Sequence, residues 1–194
     1  MNSRHDCIRN LEADLLKDIC KDIKIEPELL PVGNIPFPTS TNTADKARLD
    51  VAAVGVYSPM ERTFFDVRVF NPNSPSYRDK TPQQLYEMQE REKKAAYNQR
   101  VIQVEKATFT PLIFSTTGGM GPETTKFHKL IAQRISEKRK ESYPDVMKHI
   151  RTRLRFALLR GTLIAIRGDR GRRRRQFLPT SDISFNTIPG YEVH

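Results

Sequence analysis

Cysteine is nearly absent: Cys7 and Cys20 are the only two, spaced for neither a zinc knuckle nor a disulfide framework, so a reducing compartment is expected. No apolar run approaches the roughly 20 residues that span a bilayer. The first ten residues lack the apolar core of a secretory signal. No internal repeat is evident, and no nucleotide-binding lysine follows the Gly118-Gly119-Met120-Gly121 loop, which reads as a tight turn or a backbone contact to DNA. Acidic residues are the minority, 23 against 33 lysines and arginines, a formal charge of +10 that favours an anionic partner. A membrane partner is not expected, and nucleic acid is.

A helix is expected from Ser3 through about Lys24, on the spacing of Ile8, Leu11, Leu15, Ile19 and Ile23. Prolines at 27, 31, 36 and 38 make the next stretch a loop. Strands are predicted at about Arg48 to Tyr57 and Arg62 to Phe70, a helix from Pro82 to Arg100, and two more strands at Val101 to Lys106 and Thr108 to Thr116. Pro111 marks the last of these as irregular or at a sheet edge. Helices are expected from near Pro122 and near Pro144. The order reads as an α/β (α+β) fold, a central mixed sheet of four to five strands flanked by helices, over residues 1–170. A basic tail without periodicity, 171–194, is expected to be disordered.

Two aspartates stand in apolar strands. Period 2 puts Phe65, Val67 and Val69 on one face and Asp66 and Arg68 on the other, with Asp50 on the neighbouring strand. An ionised carboxylate among phenylalanine and valine needs a partner or a metal. Two convergent carboxylates suit magnesium or manganese, which take oxygen ligands and are commonly completed by phosphate and water. The alternative is structural: Asp50 capping its strand and Asp66 paired with Arg68 or Arg48. Arg68 is a candidate phosphate clamp or simply that partner. On the next helix, Lys93 or Lys94 shares a face with Tyr97 and is a candidate for the site. Glu105 is a further candidate metal or water ligand. Glu12 on the first helix could approach the same site, although it and Glu105 read more simply as ordinary exposed carboxylates, and His5 and His128 read as structural or surface histidines. Lys148, Arg151 and Arg155, at i, i+3 and i+7, form with Arg172 to Arg175 a basic footprint for a phosphate backbone, and the arginine cluster also reads as a weak nuclear-targeting signal, the cytoplasm being the alternative.

The series Ala47-Arg48-Leu49-Asp50, Phe64-Phe65-Asp66-Val67-Arg68-Val69-Phe70-Asn71-Pro72, Lys94 with Tyr97, and Phe109-Thr110-Pro111-Leu112 through Gly118-Gly119-Met120-Gly121 resembles the restriction-enzyme-like endonuclease domain of non-LTR retrotransposons. That domain belongs to the PD-(D/E)xK nuclease superfamily, and the likeness covers nearly all of residues 3–170. It implies a restriction-endonuclease-like fold and a magnesium-dependent nick in target DNA whose 3′-hydroxyl primes reverse transcription. It implies Asp50 and Asp66 as the acidic metal ligands. It also implies Lys94 and Tyr97 as a Lys-x-x-Tyr pair from the following helix, with Arg68 standing where the superfamily usually has its lysine. Lys93, Arg68, Lys148, Arg151, Arg155, Arg172 and Arg173 are the expected DNA contacts. Reverse transcriptase and element RNA are partners implied for the parent polyprotein. No zinc knuckle and no Tyr-x-Asp-Asp polymerase signature accompanies the domain, which points to a standalone fragment or a retained remnant. A catalytically inactive DNA-binding remnant is the alternative.

Overall fold

The computed structural model describes residues 3–176, with side chains described for residues 4–164, 166 and 167. The last helix runs on to Gln176, so residues 171–176 of the expected disordered tail are helical; the side chains of Arg172 and Arg173 are not among those described, and 177–194 lie outside the described residues. Four strands, β1 (Lys21–Ile25), β2 (Val51–Val54), β3 (Arg62–Phe70) and β4 (Thr108–Ser115), form one mixed sheet in sequence order. The first three pair antiparallel, and β3 pairs parallel with β4 over its whole length. Four helices flank the sheet: α1 (Ser3–Lys17), α2 (Pro82–Arg100), α3 (Pro122–Arg139) and α4 (Tyr143–Gln176).

Alternation along β3 divides the core in two. Phe65 and Val67 join Val51, Ala53, Leu112 and Phe114 in a cluster with the apolar stripes of α1, α3 and α4. Phe64 and Phe70 face the other way, into smaller clusters that carry Leu85 and Tyr97 of α2. Asp66 shares that α2 face, between the two clusters. Phenylalanine and valine favour a pleated surface, so the sequence of β3 makes a strand whose polar positions, Asp66 and Arg68, fall in one row.

Three elements depart from expectation. The helix expected through about Lys24 stops early, and Lys21–Ile25 is an edge strand instead. α1 stops at Lys17, Asp18 to Cys20 turn the chain, and Asp22 at φ +48° accommodates the irregular register with β2. Its lysines and aspartate suit a free sheet edge, which charges protect from unwanted pairing. Val101–Glu105 is a π-helical turn extending α2, closed by Lys106 at φ +52°, and no strand forms there. The buried Arg100 holds this segment down, donating to the carbonyls of Leu30, Asn42 and Ala44 in the proline-rich loop at 2.6–3.0 Å. β2 is shorter than expected at both ends: the chain parts from β3 before Val51, which opens the site described below, and bends after Val54 at Gly55, whose φ is +95°.

α2 begins as anticipated at Pro82, with Thr81 and Gln84 in a reciprocal capping box. β4 is an edge strand, with Pro111 opposite Asp66. Its outer edge is covered: Thr124 Oγ1 accepts from Ile113 N–H at 2.7 Å, and Gly119 and Gly121 close the turn back onto Ser115 and Ile113. The glycine loop is thus explained by close approach. A Cβ on Gly119 would collide with the Tyr86 hydroxyl, and one on Gly121 with Glu90 Oε1. Glu90 is buried and its Oε1 accepts from Glu123 N–H at 2.8 Å, capping the first turn of α3. Gly121→Ala is expected to displace that cap and cost about 1–3 kcal/mol. Urea unfolding would show it as a lower midpoint at unchanged slope, and an unchanged midpoint would refute the packing argument.

Candidate active site

Where β2 leaves β3, the last paired residues are Val51 and Phe65. The next position on β3 that faces the departed chain is Val67, whose backbone would be bare. Asp50 fills the gap. Its Oδ2 accepts from Val67 N–H at 2.6 Å, and its own N–H donates to Phe65 O at 3.0 Å. The Val67 carbonyl is reached by His5 Nε2 of α1 at 3.0 Å, and the same nitrogen lies 3.1 Å from Asp50 Oδ2. Both neighbours of Nε2 accept, so that nitrogen carries a hydrogen. The hydrogen bond to Asp50 raises the His5 pKa above its ordinary value, with burial opposing.

Asp66, the residue before Val67 on β3, lies near enough to Asp50 for the Asp50 charge to raise its proton affinity. Only 6 % of Asp66 is exposed. Its Oδ2 is buried without a hydrogen bond of good geometry, although the Lys93 ammonium forms an ion pair with it. Burial pushes the Asp66 pKa up to about 6, with Lys93 opposing and Asp50 adding to the rise. The site is therefore a row: His5, Asp50, Asp66, Lys93. Lys93 also lies 5.8 Å from the centre of the Tyr97 ring.

The sequence-derived candidates divide accordingly. Asp50 and Asp66 are brought together. The lysine at the pair is Lys93; Lys94 turns instead toward α3, with its Nζ 3.5 Å from Glu123 Oε1. Neighbouring helical residues point about 100° apart, so one helix face takes only one of them. Tyr97 supports Lys93 with its ring, while its hydroxyl accepts from Asn42 Nδ2 at 3.2 Å and the ring packs on Phe109. Arg68 pairs with Glu92 at 2.7 Å. Glu105 is away from the site, its Oε1 accepting from Leu30 N–H at 2.6 Å. Glu12 is fully buried against His128, 3.0 Å away in the core. His5 was not anticipated: its only sequence signal is its place in the first turn of an amphipathic helix, and its partner is 45 residues away.

Lys148, Arg151 and Arg155 line one groove between α3 and α4, about 490 Å³ in volume, together with Lys129 and Tyr143. No carboxylate lines it. Among the described residues none of these four cations has an ion-pair partner, whereas Arg9, Arg48, Arg62, Arg68, Lys93, Lys94 and Arg139 all do.

Among the described residues no three histidine, cysteine, aspartate or glutamate side chains gather into one metal-binding group. At this site the described residues offer a cation two carboxyls, Asp50 and Asp66. That donor set still fits magnesium or manganese, hard ions held by one or two carboxylates with substrate oxygens and water completing the shell. The observation that favours such an occupant is the buried Asp66 carboxyl beside a second carboxyl, Asp50, with the Lys93 ammonium as its ion-pair partner. No described helix is long and apolar enough to cross a membrane. No protein-family model, curated protein or solved structure matches the chain.

Proposed function

We propose that this chain is a restriction-endonuclease-like domain of retrotransposon origin that nicks DNA by magnesium- or manganese-dependent phosphodiester hydrolysis. The observation that carries the reading is the pair of carboxyls, Asp50 and Asp66, held against each other where two strands diverge, with a lysine on the second. Two like charges so close repel and raise each other's proton affinity, and a divalent cation relieves that cost. Asp50 and Asp66 would hold the ion. When bound, it supplies Lewis acidity at a phosphoryl oxygen and lowers the pKa of a water ligand.

The protein's own groups do the rest. Lys93, fixed by α2 and stacked over Tyr97, presents positive charge beside the acids, where charge builds on phosphoryl oxygens in the transition state. The groove of Lys129, Lys148, Arg151 and Arg155 holds the polyanion by its phosphates, without reading sequence.

Supercoiled plasmid tests the reading. In magnesium the wild type is expected to yield open circles, and in EDTA none. Asp66→Ala is expected to bind plasmid as well or better and to nick nothing. Equal nicking by the two proteins would reject it. The groove favours a second reading, an inactive DNA-binding remnant, because its cations do not depend on the acids. Binding without new ends from the wild type would select that one.

A further inference from the structure

Asp50 has two carboxylate oxygens with different employment. Oδ2 is saturated: it accepts from Val67 N–H at 2.6 Å and meets the protonated Nε2 of His5 at 3.1 Å. The nitrogen donors that reach Asp50 among the described residues both go to Oδ2, and its other neighbour is the Asp66 carboxyl. We infer that His5 is a positioning residue, holding Asp50 by Oδ2 so that Oδ1 alone is presented, beside Asp66, as a single-oxygen ligand for the divalent cation. The inference rests on the metal-dependent reading above.

The carboxylate needs holding. Asp50 lies just outside β2, and its backbone is tied on both sides, to Glu26 N–H and to Phe65 O, so the part left to be held is the side chain. A lone Val67 N–H leaves the carboxylate free to turn about that contact. The single Nε2–H of His5, shared between Asp50 Oδ2 and Val67 O at 3.0 Å, removes this freedom and links Asp50 to helix α1. Outer partners of this kind orient ligating groups, and losing one typically costs about 10–100-fold in metal affinity or activity.

The fold also fixes His5 from behind. α4 passes directly over the first turn of α1 at Gly161, where an added Cβ would lie 2.7 Å from Arg4 Cα. The residue preceding His5 is thereby clamped between the two helices. α1 and α4 form the largest helix–helix contact in the molecule and share Ile8, Leu11, Leu154 and Leu158 in one cluster. The imidazole is therefore carried on a packed element, in keeping with a site whose geometry must be set before substrate arrives.

The experiment compares His5→Met, which keeps bulk without a donor, and His5→Gln, which keeps a donor at similar reach. Manganese binding to metal-free protein is followed by calorimetry and by paramagnetic resonance, with circular dichroism melts alongside and Asp66→Ala as the reference. His5→Met is expected to bind manganese about 10–100-fold more weakly while melting as a folded protein. In nicking assays its kcat is expected to fall with KM for plasmid unchanged. His5→Gln is expected to restore most of the affinity. A role confined to anchoring α1 would lower the melting temperature of both variants and leave manganese affinity unchanged in the folded protein, which would overturn the inference. Wild-type affinity in His5→Met with affinity lost in Asp66→Ala overturns the positioning role alone. No manganese binding by the wild type overturns the metal-dependent reading with it.

Discussion

Lys93→Met is expected to lower magnesium-dependent nicking by about 10²–10³-fold, the usual loss when one preorganised charge-stabilising donor is removed. Lys94→Met is expected to leave the rate within a few-fold of wild type. The two lysines are adjacent in sequence and chemically identical, so the contrast tests geometry alone. Lys93 pairs with Asp66, whereas Lys94 lies 3.5 Å from Glu123 on α3. Exposed pairs such as the latter contribute little. One confounding route exists. Lys93 opposes the burial that lifts the Asp66 pKa to about 6, so its loss lets Asp66 keep its proton to higher pH. If that were the whole effect, nicking by Lys93→Met would recover as pH rises. Direct action on the phosphoryl group predicts a deficit that persists at pH 9. Inactivity in Lys94→Met with activity in Lys93→Met would remove Lys93 from the mechanism.

The choice between those lysines shows how far the chain could be read without coordinates. The local periods were clear. Alternation along Arg62–Phe70 placed Phe65 and Val67 on one face and Asp66 on the other, and the proline and capping residues marked the start of α2. Lys93 and Lys94 stand four and three residues before Tyr97, spacings that flank it equally well, so the decision belongs to how α2 is rotated on the sheet. That rotation follows from packing of Leu85 and Tyr97 against residues far away in sequence. The same limit hid His5, whose role exists only once α1 lies beside the gap left by β2. It also hid the true place of Glu12, whose partner His128 comes from another helix. The errors at residues 21–25 and 101–105 have a different origin. Two isoleucines among charges at 21–25, and a five-residue run at 101–105, are too short for a period to separate helix from strand, and the outcome was decided by available strand partners. β2 offered an edge to Lys21–Ile25, while Val101–Glu105 was held to α2 by the buried Arg100 beneath it.

Asp66→Asn should remove nicking and, in the absence of metal, make the protein more stable at pH 8. The folded protein holds the Asp66 proton up to about pH 6, whereas the unfolded chain releases it near 3.8. Between those values the native state binds more protons, so stability falls as pH rises. At about 1.4 kcal/mol for each pH unit, the full loss above pH 6 amounts to about 3 kcal/mol. Asparagine carries no proton to lose and no charge to bury, and it ends the repulsion with Asp50. Against that, the Lys93 ammonium forfeits its partner, though it is 22 % exposed and can turn toward water. The net gain expected at pH 8 is about 1–3 kcal/mol, or several degrees in melting temperature for a domain of this size. The two proteins should converge as pH drops toward 4, where wild-type Asp66 is protonated and the mutant's advantage disappears. Magnesium should reverse the ranking in part, because an ion that binds only the native wild type stabilises it by mass action and leaves Asp66→Asn untouched. Thermal melts in EDTA and in magnesium at pH 4.5 and pH 8 make the comparison. A variant that melts below wild type at pH 8 in EDTA would mean that the Asp66–Lys93 attraction outweighs the burial of charge. The acid pair would then be a structural tie rather than a strained site awaiting a cation.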